Sequence, residues 1–164
     1  RSHSNWDALA GDGVRDQAVA VLGLKDLKVI AQRKFFSVVE LPAPLSVAEL
    51  RRVVESGVGY PDCRVFGDLH QQVRRFSFLI GGFGENQFHM PQVARDLGAE
   101  AIIIGEMSEF IVISCLEMGL PVIETLHSVS EIPAIKRQAR LLADRLPDLR
   151  VEYVPSGAGA FRQI

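Results

Sequence analysis

Ala101-Ile102-Ile103-Ile104 runs straight into Gly105-Glu106, and the segments on both sides repeat its logic. Four apolar residues with no polar alternate read as a strand buried on both faces, as parallel strands are. Upstream, Val73 to Ile80 reads as a longer strand with Arg74 and Arg75 near its outer end. Gly81-Gly82-Phe83-Gly84-Glu85-Asn86-Gln87-Phe88 then turns into a helix ending at Gly98. Downstream, Ser108 to Met118 reads as a helix stopped by Gly119, and Pro121 to Thr125 as another strand. Ile132 to Leu146 is an amphipathic helix with Pro133 in its first turn, where the missing N–H costs nothing. Arg150 to Val154 reads as the last strand. Strand alternating with helix predicts an α/β fold, a layered sheet with helices packed on its faces.

The first third is less regular. Gly11-Asp12-Gly13 is a turn, and Val14 to Leu22 a short helix stopped at Gly23. Lys28 to Gln32 and Phe35 to Leu41 read as strands, the second ending at Pro42-Ala43-Pro44. Ser46-Val47-Ala48-Glu49 is a capping box, in which serine and glutamate side chains each satisfy a free backbone N–H. It starts a helix to about Ser56 with Val47, Leu50, Val53 and Val54 on one face. Arg64 to Phe66 is a short strand.

A chain of 164 residues with 48% hydrophobic content suits one domain, 1–164, with a real core. Net charge is −2, and the scattered Lys and Arg lack the clustered basic face of a nucleic-acid binder. No stretch reaches the roughly 18 uninterrupted apolar residues of a membrane helix. The nearest, Phe110 to Ile123, carries Glu117 and is broken by Gly119 and Pro121. No signal-peptide pattern is present. Cys63 and Cys115 lie far apart, in no Cys-x-x-Cys spacing. Cys115 reads as a small buried hydrophobe, and such usage fits a reducing cytoplasm. Arg1 in place of methionine sets the expectation of a segment upstream.

In open α/β sheets, ligands bind at the carboxyl ends of strands. Three polar clusters lie at such ends: the Gly81 to Gln87 turn, Glu106, and His127 with Glu131. Adjacent strands would gather them around one crevice. His127-Ser128-Val129-Ser130-Glu131 can be a helix start, with the serines capping and Glu131 at the positive end. The same spacing can point His127 and Glu131 at one ion. His3-Ser4-Asn5-Trp6-Asp7 pairs a second histidine with a carboxylate, although a histidine there can simply be solvated. Imidazole plus carboxylate suits zinc, iron or manganese, so the two segments brought together would make a mixed N/O site. The glycine run can cradle an anion on backbone N–H groups, with Gly82, Gly84 and Asn86 as its candidates, or be a tight turn. It lacks the features of a P-loop or a dinucleotide fingerprint. Glu106 is the candidate acid/base. Glu109 and Glu124 read as solvated, and His70 and His89 as surface residues.

The ordered segments resemble the Nif-three-like dinuclear metal proteins, also called GTP cyclohydrolase I type 2-like. His3-Ser4-Asn5-Trp6-Asp7 resembles that family's His-Thr-Asn-Leu-Asp, and Gly13-Val14-Arg15-Asp16 the helix start after it. Leu41-Pro42, the Gly81-Gly82-Phe83-Gly84 turn, Gly105-Glu106 and His127 to Glu131 are similar to its later motifs. Ser156 to Ile164 resembles its Gly-x-Pro-Phe-Arg tail. The resemblance implies Asp7, His127 and Glu131 as metal ligands, with Glu131 bridging up to two ions in the intact protein. It also implies a ring-shaped hexamer and a hydrolase-like metal pair. Three positions depart from the pattern. The family's His-His pair precedes the Asn-Leu-Asp segment and has no counterpart after Arg1. Glu109-Phe110 stands where the family has Tyr-His. Leu126 replaces the glycine before His127.

Two functions follow. One is a metal-dependent hydrolase in which Glu106 moves protons and the glycine turn holds the phosphate of a small phosphorylated or nucleotide-like ligand. The other is a non-enzymatic metal- or protein-binding module with an incomplete site. Phe35-Phe36 and Phe110-Ile111 are apolar enough to be read as a subunit contact.

Overall fold

The structure, a computed structural model, describes residues 3–157. Six strands form one mixed sheet, in the order β1-β2-β4-β5-β6-β3. They are β1 (Lys28–Gln32), β2 (Phe36–Ser46), β3 (Arg64–Phe66), β4 (Gln72–Leu79), β5 (Ala101–Ile104) and β6 (Val122–Glu124). The three middle strands β4, β5 and β6 are parallel, with Phe76 opposite Ala101 and Ile102 opposite Val122. β2 joins β4 antiparallel, and β1 and β3 close the two edges antiparallel.

The helices are α1 (Ser4–Asp7), α2 (Val14–Ala20), α3 (Val47–Val58), α4 (Met90–Asp96), α5 (Glu109–Glu117) and α6 (His127–Arg145). Side chains alternate along each buried strand, so each strand feeds two cores. Phe76, Phe78, Ile103 and Ile123 pack with Val14, Ala18, Leu50, Val54 and Val129 from α2, α3 and α6. Leu79, Ile102, Ile104 and Val122 pack on the other face with Ala94 of α4 and Ile111 and Cys115 of α5. Ile102, Ile103 and Ile104 are all fully buried, as the opening motif predicts. At about 25 cal/mol per Å² of apolar surface, each contributes on the order of 1.5–3 kcal/mol.

The capping box forms as read. Ser46 Oγ accepts the Glu49 N–H at 3.3 Å, and Glu49 Oε2 accepts the Ser46 N–H at 2.8 Å. Four expectations need correction. β2 does not end at Pro42 but continues to Ser46, with a register shift between Glu40 and Leu45. β1 pairs only with residues 37–40, so the prolines lie where the outer edge of β2 needs no N–H donor. α6 starts at His127, five residues earlier than read, which puts Pro133 inside the helix. Arg150 to Val154 is not a strand. Instead of pairing with an edge strand, this segment lies along α6, with Lys136 Nζ 5.4 Å from the Tyr153 ring. Finally, Phe36 and Ile111 belong to the core, which leaves Phe110 as the largely exposed member of the expected contact. Residues 158–164 of the tail motif lie outside the described residues.

Candidate functional site

The carboxyl ends of β4, β5 and β6 lie side by side, and three turns leave them together. β4 runs through Ile80 into Gly81, β5 into Gly105-Glu106, and β6 into Thr125-Leu126 before α6 begins at His127. The turns are laced by backbone bonds: Glu106 N–H donates to Gly81 O at 3.0 Å, and Leu126 N–H to Gly105 O at 2.7 Å. Buried Ser130 completes the lacing. Its hydroxyl accepts the Gly81 N–H at 3.0 Å and donates to His127 O at 2.7 Å. Gly105 allows this convergence, because a Cβ there would strike the Gly81 carbonyl and come within 2.8 Å of His127 Cα.

His127 sits at the centre. Its Nδ1 is 2.7 Å from Glu106 Oε1, and its Nε2 is 3.3 Å from Glu131 Oε1. Gly81, at φ 60°, leaves room for both tips: an added Cβ would lie 2.8 Å from Glu131 Oε1 and 2.9 Å from His127 Nε2. α1 brings the other end of the chain to the same place. A cleft of about 120 Å³ is lined by His3, Asp7, Gly82, Gln87, His127 and Glu131, with Phe35 and Phe83 among its apolar walls. Burial pushes the Glu131 carboxyl above its usual value, and the Asp7 charge adds to this, while His127 and His3 pull the other way.

The cleft therefore gathers both histidine–carboxylate pairs. Glu106 lies elsewhere, behind His127 and along a neighbouring cleft. Of the glycine-turn candidates only Gly82 lines the cleft. The Gly84 N–H is engaged by Gln87 Oε1 at 3.2 Å, and Asn86 is exposed within a 3-10 turn, Glu85–Gln87. Gln87 faces the cleft in their place. Its side chain had no separate mark in the sequence. Glu124 is not solvated: it is 3% exposed, accepts the Met107 N–H at 3.0 Å and pairs with Arg64. His70 and His89 are exposed, as read. Leu126, standing where a glycine was expected, adopts φ 117°. A side chain held there stores about 1–3 kcal/mol of strain, of the kind that concentrates at functional sites.

The donor set is chemically suited to a divalent ion, since imidazole and carboxylate are the N/O ligands of zinc, iron and manganese. Two ligands about 2.0–2.1 Å from a tetrahedral ion stand about 3.3–3.4 Å apart. The His127 Nε2 to Glu131 Oε1 separation of 3.3 Å matches that spacing. Among the described residues, no three His, Cys, Asp or Glu side chains already stand close enough to hold an ion. Asp7 must close on the pair to complete a set.

Comparison with known proteins follows the same outline. The family model for Duf34/NIF3 (NGG1p interacting factor 3) matches residues 2–158. A GTP cyclohydrolase 1 type 2 homolog of Clostridium perfringens (strain 13 / Type A) is 30% identical over 161 residues, which is 94% of this chain and 59% of the relative. A homolog of the same name from Clostridium acetobutylicum is 28% identical over 152 residues, covering 88% and 55%. The chain thus spans somewhat over half the length of these curated relatives. Among solved structures, protein ybgI, described as of unknown function, superposes with a TM-score of 0.77 at 27% identity, covering 93% of this chain and 59% of that one. Staphylococcus aureus hypothetical protein SA1388 also reaches 0.77, at 15% identity over 99% of this chain and 67% of that one, a likeness of fold alone.

Proposed function

This chain belongs to the Duf34/NIF3 (NGG1p interacting factor 3) family, and on that premise we propose that it binds a divalent metal ion in the cleft between α1 and the start of α6. Asp7, His127 and Glu131 are the ligands, with His3 beside them. The observation that carries this reading is the cleft itself: two histidine–carboxylate pairs more than a hundred residues apart line one small cavity. A bound ion supplies Lewis acidity and a source of hydroxide at neutral pH, which is hydrolase chemistry.

The chain's own residues have distinct tasks in this proposal. Glu106 accepts the Nδ1–H of His127, which fixes the tautomer and turns the Nε2 lone pair toward the cleft. This makes Glu106 a positioning residue for His127 more than a proton carrier in the cleft. Gly81 keeps the space in which His127 Nε2 and Glu131 meet. Gln87 offers an amide to a substrate oxygen, and Phe35 and Phe83 limit water. Glu131, with its raised carboxyl, is the ligand that gains most from a nearby cation, because a cation offsets the burial that disfavours its charge.

The substrate in this reading is a small polar or phosphorylated compound. Self-association, with a hexamer as its form, and a cytoplasmic location belong to the same proposal. Exposed Leu142, Leu146 and Leu149 at the far end of α6 and two free buried cysteines support them.

The competing reading is a module that binds metal without turnover. Glu109-Phe110 in place of Tyr-His favours it. The deciding experiment incubates the protein with zinc, manganese or iron(II) and follows hydrolysis of bis-p-nitrophenyl phosphate and of GTP. The hydrolase reading expects metal-dependent turnover that Glu131→Gln abolishes. Metal binding without any turnover leaves the binding module.

A further inference from the structure

The metal cleft is the first of three cavities in a row. The second, about 290 Å³, shares Phe83 with it and is bounded by Arg64, Glu106, Met107, Ser108 and Leu126. The third, about 460 Å³, shares Arg64, Met107 and Glu124 with the second. It runs between α5 and the β3–β6 edge, where Phe66, Val112, Ile113 and Leu116 make it mostly apolar. Ile113 and Leu116 are 50% and 40% exposed, a large apolar surface to leave in water.

Arg64 stands at the junction of the second and third cavities and is held from two sides. Its Nη2 lies 2.5 Å from Glu124 Oε2, and its guanidinium carbon lies 5.8 Å from the Phe66 ring. Glu124 is itself fixed by the Met107 N–H. More than half of the Arg64 side chain remains exposed, so its remaining N–H donors are free to meet a ligand acceptor in a set position. Among the described residues that line the groove, Glu109 and Glu124 face it with Arg64 as the one cation. That balance rejects an anionic tail and accepts an uncharged one.

We propose that the ligand of this site is an elongated amphiphile. Its polar head sits at His127 and Glu131, an acceptor such as a carbonyl oxygen lies under Arg64, and an uncharged apolar arm fills the groove beside α5. The head-group placement rests on the metal reading above, whereas the groove does not depend on it.

Straight-chain hydroxamic acids test both parts, because the hydroxamate head chelates a divalent ion and the chain length is adjustable. Calorimetric titration of the zinc-loaded full chain compares acetohydroxamate with its homologues up to octanohydroxamate. Affinity is expected to rise about fourfold per methylene once the chain reaches the groove. Ile113→Asp and Leu116→Asp, at exposed helix positions, are expected to flatten the rise while keeping the acetohydroxamate affinity of the parent. A flat series in the parent overturns the proposal, and so does a rise that survives both substitutions. If acetohydroxamate fails to bind but longer chains bind and Ile113→Asp abolishes this, the groove stands and the metal reading falls. If no member of the series binds, both fall.

Discussion

Replacing Gly81 by alanine separates the backbone from the site. Gly81 has φ 60°, a conformation that costs an L-residue about 1–2 kcal/mol. The added Cβ would meet Glu131 Oε1 at 2.8 Å and His127 Nε2 at 2.9 Å, where ordinary contact begins at 3.4 Å. Both atoms are tips of side chains. They can swing aside by about half an ångström, so the fold survives with only the backbone penalty. For a chain of this size that is a fall of about 2–8 °C in Tm. The site fares worse. A ligand displaced by about half an ångström exceeds the roughly 0.2 Å that metal–ligand distances tolerate, and zinc affinity should drop at least about tenfold. Gly59→Ala is the matched control. Gly59 has φ 71° at the end of α3 and nothing within 4 Å of a Cβ, so it carries the same backbone penalty without touching the site. Urea unfolding and zinc titration of the parent and both variants decide the matter. If Gly81→Ala binds zinc as well as Gly59→Ala does, the space at Gly81 is not a ligand site and the reasoning fails.

Four further outcomes are expected. Glu106→Gln should weaken zinc binding about 10–100-fold with an unchanged urea midpoint, since the Glu106 side chain is 60% exposed; equal affinity would remove Glu106 as the orienting partner. Ser130→Ala strands the buried Gly81 N–H and should cost about 1–3 kcal/mol in urea unfolding; a loss within about 0.5 kcal/mol contradicts the clamp. In the metal-free protein, burial raises the Glu131 pKa above 4.5, so its stabilising, protonated form is lost as pH rises through the folded-state value. Glu131→Gln should therefore be more stable than the parent at pH 7, with the difference closing toward pH 4.5, and the opposite trend in thermal melts refutes this. Cys63 and Cys115, pushed by burial up to about 12 and about 11, should resist a thiol reagent at pH 8 until the chain unfolds, and fast labelling of the folded protein counts against their burial.

The central strands were legible because burial on two faces leaves an unmistakable mark. Ala101 to Ile104 has no polar alternate, and β4 and β6 keep buried apolar stretches around Phe76, Phe78, Leu79, Val122 and Ile123, with helices between them. The Ser46-to-Glu49 box was equally plain, since its physics is local. Errors arose where long-range pairing decides the outcome. Whether Pro42 and Pro44 end a strand depends on whether β1 reaches that far, which no local pattern reveals. Arg150 to Val154 has strand-like composition, but the fold packs it along α6 and not on a sheet edge. At the site, His127 and Glu131 were visible as a spaced pair. No spacing in the chain showed their meeting with His3 and Asp7, which only the family resemblance implied for Asp7, because the packing of α1 beside the β4 turn is tertiary. Ser130 carried the wrong role for the same reason. As a helix-start serine it looked like a cap, and its actual partner is Gly81, 49 residues away. Glu124 looked solvated because only the pairing of β3 with β6 brings Arg64 to it.

The most direct test is an anomalous difference map from zinc-soaked crystals of this chain. The account predicts a peak about 2.0–2.2 Å from His127 Nε2 and from carboxylate oxygens of Glu131 and Asp7. Peaks confined to exposed His70 or His89, or no peak within reach of His127, would contradict it.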